Sequence, residues 1–310
     1  MRRIIGMKQY EKCGLCPRQC KVNRQAEETG VCGVGSTLKI ARAALHYWEE
    51  PCISGKNGSG AVFFSGCSLG CIFCQNKEIA KGAVGKEITD ERLAEIFLEL
   101  QEQGANNINL VTAGHYVPHV VKSVESSRRQ GLSIPVVYNT GSYETVDNIK
   151  RLEGIVDVFL PDFKYMDEKL AGDFSKAPDY PQVAKLAIEE MVRQQPALVF
   201  AESPQNEDGG LIQKGVIVRQ LLLPGHVKDA KRITEYLHNK YGNRIYISMM
   251  SQYTPLAPVE KYKELNRRVT GREYNAFIDF ALEIGVEQGF FQENEVAFES
   301  FIPHFDGSGV

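Results

Sequence analysis

The run Ala61-Val62-Phe63-Phe64-Ser65-Gly66-Cys67-Ser68-Leu69-Gly70-Cys71-Ile72-Phe73-Cys74 sets three cysteines in the spacing Cys-x-x-x-Cys-x-x-Cys directly behind an apolar strand. Three thiolates on one short loop suit three irons of a [4Fe-4S] cluster and leave the fourth iron without a protein ligand, open to a substrate or cofactor. Ordinary four-thiolate sites are closed. A triplet with no nearby fourth cysteine therefore argues against simple electron storage and against structural zinc.

Outward from this loop the chain alternates strand and amphipathic helix. Residues 90–103 read as a helix capped by Thr89 and ended by Gly104, with Leu93, Ile96, Phe97 and Leu100 as its inward stripe. Further strands are expected at residues 107–112, 135–140, 156–160, 216–223 and 245–250. Helices are expected from Pro118 onward, near residues 146–152, and over residues 182–195 and 229–240. Thr270-Gly271-Arg272-Glu273 looks like a capping box opening a last helix that runs through Ile284. Residues 197–214, with Asp208-Gly209-Gly210, read as an inserted hairpin or loop.

Six strands alternating with helices predict an α/β fold, a parallel sheet curled into a partial (β/α)6 barrel over residues 56–290. Ligands then bind at the carboxyl ends of the strands. Residues 1–55 lack this rhythm and are expected to form a small Cys-rich metal-binding subdomain, with residues 291–310 as a tail.

With 310 residues, 43% hydrophobic and 24% charged, the chain can bury a sizeable core. The formal charge is only -3, and Arg128-Arg129, Lys231-Arg232 and Arg267-Arg268 are scattered pairs, so no nucleic-acid partner is expected. No run of about eighteen apolar residues exists for a membrane helix. The start Met1-Arg2-Arg3-Ile4-Ile5-Gly6 is too short in apolar residues for a secretion signal, and a cytoplasmic location is expected. In that compartment eight cysteines serve more readily as ligands than as disulfides.

The loop Cys67-Ser-Leu-Gly-Cys71-Ile-Phe-Cys74-Gln75-Asn76 resembles the radical S-adenosylmethionine (SAM) superfamily. The resemblance implies that SAM chelates the open iron, that an electron from the reduced cluster splits it, and that the 5'-deoxyadenosyl radical abstracts a hydrogen. Beyond the loop, the chain is similar to the activating enzymes of glycyl radical enzymes, with pyruvate formate-lyase activating enzyme as the type. That likeness implies a glycyl radical enzyme as protein substrate and an electron donor such as flavodoxin or ferredoxin. Asp162-Phe163-Lys164 is similar to the family's Asp-x-Lys element, whose polar pair helps to hold SAM, and strand alternation puts both side chains on one face. Arg219, in the segment Arg219-Gln-Leu-Leu-Leu-Pro224-Gly225, matches the family's Arg-x-x-x-x-Pro-Gly and should meet an anion or an acid, the SAM carboxylate or the cluster's surroundings.

Asn139 and Ser142, and Gln252 and Tyr253, stand where other SAM or substrate contacts arise in that family. The second strand ends Thr112-Ala113-Gly114-His115, where activating enzymes show Gly-Gly-Glu-Pro. The carbonyls of Thr112 and Ala113 can take over part of that role, and His115 is either a local replacement for the acid or a residue of the helix start. The chain looks most like the long PflX-type group, through segments that include His46-Tyr-Trp-Glu49-Glu50-Pro51 and Met250-Ser-Gln252-Tyr253.

Cys13, Cys16, Cys20 and Cys32 supply four more soft ligands in knuckle-like turns. Zinc as a fold staple is the first choice for this second metal, and an auxiliary iron-sulfur cluster the other. Cys52 is read as a buried small hydrophobe and His46 as a packed histidine. Three readings of function stand side by side: hydrogen abstraction from a protein glycine, radical modification of a small molecule or peptide, and an electron carrier or metal-stapled scaffold that never binds SAM.

Overall fold

A computed structural model describes residues 8–201, 210–256, 258–291 and 303–310. The strands are β1 (Leu38–His46), β2 (Ser59–Phe64), β3 (Lys86–Ile88), β4 (Ile108–Val111), β5 (Val136–Thr140), β6 (Val158–Pro161), β7 (Val199–Phe200), β8 (Ile212–Leu221), β9 (Tyr246–Met250) and β10 (Gly289–Phe291). They form a sheet in the order β10-β9-β8-β6-β5-β4-β2-β1-β3, with β7 paired to β8. From β2 to β10 along that order every neighbouring pair is parallel, while β1 runs antiparallel to β2 and to β3. The fold is thus α/β with a largely parallel sheet, open at β3 and β10, as a partial barrel requires.

The six expected strands are β2, β4, β5, β6, β8 and β9. Each joins the sheet through a run that is buried along most of its length, which suits strands covered on both faces. Between them lie helices such as Asp90–Glu102, where the Thr89 side chain accepts from the Arg92 amide and Leu93, Ile96, Phe97 and Leu100 are buried. The capping box at Thr270 and Glu273 is formed.

Several features differ from the sequence expectation, β1 and β3 among them. β8 begins at Ile212, because residues 212–214 pair with β7 as the arm of the expected hairpin, whose Asp208 and Gly209 lie outside the described residues. The helix Glu168–Ser175 was not anticipated, nor was β10 as a further parallel strand. Across the boundary expected after residue 55, β1 pairs along β2, and Cys52 and Ile53 pack with Val137, Val158, Leu160 and Ile217. Of the expected tail, residues 292–302 lie outside the described residues, as do residues 1–7 of the start. Residues 303–310 return to β1, with the Ala43 amide bonded to Ser308 O at 2.9 Å.

Side-chain alternation explains how this sheet builds a floor and a mouth. Val137 and Asn139, Leu160 and Asp162, and Ile217 and Arg219 share a face two by two. The first member of each pair packs into the floor with Cys52 and Ile53. The second lines a cavity toward the carboxyl ends.

Candidate active site

The cavity has a volume of about 260 Å³ and collects the ends of the parallel strands. Its lining includes Cys67, Cys71 and Cys74 after β2, Thr112, Gly114 and His115 after β4, Asn139 in β5, Asp162 and Lys164 after β6, Arg219 in β8 and Gln252 after β9. Ala113, Ser142 and Tyr253 are buried but do not line it. Two of these positions hold unusual backbone: Thr112 and Ser142 have φ of 63° and 60°, a region that side chains with a Cβ rarely occupy. The Ser142 hydroxyl is buried without a hydrogen-bond partner.

Asp162 and Lys164 meet, as alternation demands, with Lys164 Nζ donating to Asp162 Oδ2 at 2.7 Å. Arg219 bridges from the other side, with Nε donating to Asp162 Oδ1 at 2.9 Å and Nη2 to Asn139 Oδ1 at 2.6 Å. Its third partner is Glu49, whose Oε2 accepts from Nη1 at 2.9 Å, while Glu49 Oε1 accepts from Asn109 at 2.9 Å. Arg219 is therefore already paired with protein acids. Burial alone raises the Asp162 pKa, but Lys164 and Arg219 outweigh it and hold the carboxyl below its ordinary value. Burial opposes the charge on Lys164 and Arg219, and Asp162, first among their partners, more than restores it.

The three-cysteine loop is held by its neighbours. Gly66 has φ of 93°, and a Cβ there would lie 2.7 Å from Cys32 O. Ser175 Oγ donates to Cys71 Sγ at 3.0 Å and is itself 2.8 Å from the Tyr165 hydroxyl. Burial first, then Cys71, raises the pKa of Cys67 and lifts that of Cys74 to about 11, while the amides of Leu69 and Asn76 favour their thiolates. Two half-buried thiols that repel each other's charge, faced by amides, a hydroxyl and the Lys164 ammonium, fit a cationic iron-sulfur group bound by thiolate.

The other four cysteines gather beside this loop. Burial, against the Arg18 amide and with Cys32 and Cys13 adding to it, lifts Cys16 to about 12. Cys32 is raised by burial too, against Arg24 and the Val34 amide, with Cys13 and Cys20 adding to the rise. The Val31 amide donates to Cys20 Sγ at 3.4 Å. Among the described residues, no group of three or more His, Cys, Asp or Glu side chains is placed to hold a single metal ion. Cys52 is buried in the floor, as read from the sequence.

His115 turned out to be a structural bridge at the cavity wall. Its Nε2 lies 2.7 Å from Ser65 O, and its carbonyl accepts from Arg24 Nη1 at 2.8 Å. Burial, then Arg24, lowers its pKa to about 3, so the ring is neutral. The acid nearest the chain turn after β4 is Glu144: a Cβ on Gly114 would collide with its carboxylate. Glu144 is buried, its pKa raised by that burial, and it accepts from Thr140 at 2.9 Å and Tyr138 at 3.1 Å.

Sequence reasoning passed over Glu49, Trp48, His46 and Glu144 as lining residues. The segment His46-Tyr47-Trp48-Glu49-Glu50-Pro51 carried the only signal, an aromatic and acidic cluster directly after a strand.

Comparison with known proteins gives several partial likenesses. Over 280 residues the chain is 27% identical to the uncharacterized protein MJ0674 of Methanocaldococcus jannaschii, covering 88% of this chain and 75% of that one. Among solved structures, it is similar to Streptococcus suis SuiB bound to S-adenosylmethionine, with a TM-score of 0.49 and 13% identity over 75% of this chain and 49% of SuiB. The chain thus spans about half the length of SuiB. A domain of pyruvate-formate lyase-activating enzyme from Bacteroides vulgatus matches with a TM-score of 0.36 and 13% identity, over 57% of this chain and 93% of that domain. The family model of the Radical SAM superfamily matches residues 61–195, from β2 through the three-cysteine loop to the helix Tyr180–Gln194. That match covers somewhat under half of the chain.

Proposed function

We propose that the protein is a radical SAM enzyme that uses a [4Fe-4S] cluster held by Cys67, Cys71 and Cys74. A reduced cluster there supplies the electron that cleaves SAM to methionine and a 5'-deoxyadenosyl radical. The observation that carries the reading is the placement of three cysteines and the Asp162, Lys164 and Arg219 network around one cavity at the carboxyl ends of a parallel sheet. Lys164 offers an ammonium toward the SAM carboxylate, and Asp162 a carboxylate held ionised toward its hydroxyl or ammonium groups. Thr112, Ala113, Asn139 and Ser142 supply polar groups at the neighbouring strand ends, and Arg219 orders Asp162 and Asn139.

The radical abstracts hydrogen from a glycine of a protein substrate, in the manner of the activating enzymes, with flavodoxin or ferredoxin as electron donor and the cytoplasm as the site of action. A small-molecule or peptide substrate is the second reading, supported by His46, Trp48 and Pro303, which add to the cavity wall from outside the parallel strands. Cys13, Cys16, Cys20 and Cys32, which are not drawn together around one ion in this structure, are the proposed ligands of a second metal, zinc or an iron-sulfur cluster.

The test is anaerobic reconstitution with iron and sulfide, followed by dithionite and SAM. Release of 5'-deoxyadenosine, absent from a Cys71→Ala control, supports the enzyme. Equal product from both proteins leaves only an electron carrier or scaffold. A glycyl radical signal on a candidate partner then separates a protein substrate from a small one.

A further inference from the structure

Arg18 sits in the middle of Cys16-Pro17-Arg18-Gln19-Cys20, yet its guanidinium reaches out of that loop. Nε donates at 2.8 Å to the carbonyl of Ser68, the residue after Cys67. Nη2 donates to Ser175 O at 3.0 Å and Nη1 to Lys176 O, and the group lies 5.0 Å from the centre of the Tyr143 ring. Ser175 ends the helix Glu168–Ser175, and Lys176 caps it in the left-handed conformation with φ of 51°. The cation therefore stands where helical carbonyls lack amide partners and the helix dipole is negative.

That helix end bears directly on the three-cysteine loop. The Ser175 hydroxyl donates to Cys71 Sγ, and the Ile72 amide donates to Phe174 O at 2.9 Å. One side chain from the N-terminal cysteine module thus ties the backbone beside Cys67 to the element that hydrogen-bonds Cys71. The arm that presents Arg18 is itself over-determined. Gln19 and Lys21 both have positive φ, at 46° and 59°, and the Lys21 amide bonds to Cys13 O at 2.8 Å.

We infer that Arg18 is a positioning residue through which the four-cysteine module sets the geometry of the Cys67, Cys71 and Cys74 loop and, by way of Ser175, the hydrogen bonding of Cys71. The inference rests on the reading of those three cysteines as cluster ligands. A hydrogen bond to a ligating sulfur stabilises the more negative, reduced cluster, so loosening the Ser175 donor lowers the reduction potential. Lysine cannot replace Arg18 fully, since one ammonium does not span three carbonyls arranged around a planar fork.

The experiment compares the wild type, Arg18→Ala, Arg18→Lys and Ser175→Ala after anaerobic reconstitution. The readouts are the midpoint potential of the cluster by EPR-monitored titration, the change of its EPR signal on adding SAM, and far-UV circular dichroism as the check of fold. The expected result is a potential more negative than wild type in all three, with Arg18→Lys less shifted than Arg18→Ala. Release of 5'-deoxyadenosine should fall about tenfold in Arg18→Ala. A wild-type potential in folded Arg18→Ala overturns the inference. Should Arg18→Ala fail to fold, a wild-type potential in Arg18→Lys overturns it instead. If the wild type itself gives no SAM-responsive signal, the cluster reading fails and takes the inference with it, a result distinct from a responsive wild type with indifferent variants.

Discussion

Arg219 Nη1 lies 2.9 Å from Glu49 Oε2, joining β8 to the segment after β1 across 170 positions of chain. Both groups are largely withdrawn from water, and the same guanidinium holds Asp162 and Asn139. Removing Arg219 strands Glu49 as a buried charge without its cation and leaves Asp162 with Lys164 alone. Arg219→Met should therefore destabilise the fold by about 3–5 kcal/mol, read from urea unfolding curves. An unfolding midpoint equal to wild type would show that water or movement relieves Glu49 and Asp162.

Arg24 is fully buried, donates to Gly35 O and His115 O, and lies 4.4 Å from the centre of the Tyr10 ring. Arg24→Met keeps much of the volume but takes the guanidinium donors from the half-buried Gly35 carbonyl and leaves the buried His115 carbonyl only the Tyr10 hydroxyl, at 3.4 Å. The expected loss is about 3 kcal/mol, with most of it persisting in Arg24→Lys because a single ammonium cannot fork between them. Denaturant midpoints of the two variants decide this.

Gly66 meets two constraints at once, a φ of 93° and the Cys32 carbonyl where a Cβ would stand. Gly66→Ala should cost about 1–3 kcal/mol and displace the adjoining Cys67. Iron and sulfide bound per chain after reconstitution should fall relative to wild type. Full loading would mean that the loop relaxes without harm.

His115 gives a pH dependence of known sign. Its pKa is about 3 in the folded chain against an ordinary 6.5, so between those values the unfolded chain binds the extra proton. The stability present above pH 6.5 is lost progressively as the pH falls toward 3. His115→Gln removes this contribution, and its unfolding free energy should fall less steeply than wild type between pH 6.5 and 5. Parallel curves for the two proteins would refute the assignment.

The parallel strands were legible because each is an apolar run followed by an amphipathic helix, and burial on both faces demands that pattern. β1 was missed because Lys39 and Arg42 interrupt its apolar run, although its main partner, β2, is the next strand in the chain. β3 and β10 are three residues each, too short for a period to show. At the site, the three-cysteine spacing and the alternation of Asp162 with Lys164 are local properties, visible in a line of letters. Glu49 and Arg18 owe their places to contacts 170 and 50 positions away, which no local pattern encodes. The left-handed Thr112 was equally hidden, since threonine at that conformation runs against its own preference.

The span between Glu49 and Arg219 bears on how the chain is made. During synthesis the acid emerges well before its cation, so a nascent chain carries Glu49 beside β1 and β2 with no guanidinium to neutralise it. Only once β8 leaves the ribosome can Arg219 reach back to Glu49, which makes this late-arriving arginine the clasp between the two ends of the strand series, while β9 and β10 still have to add beyond it.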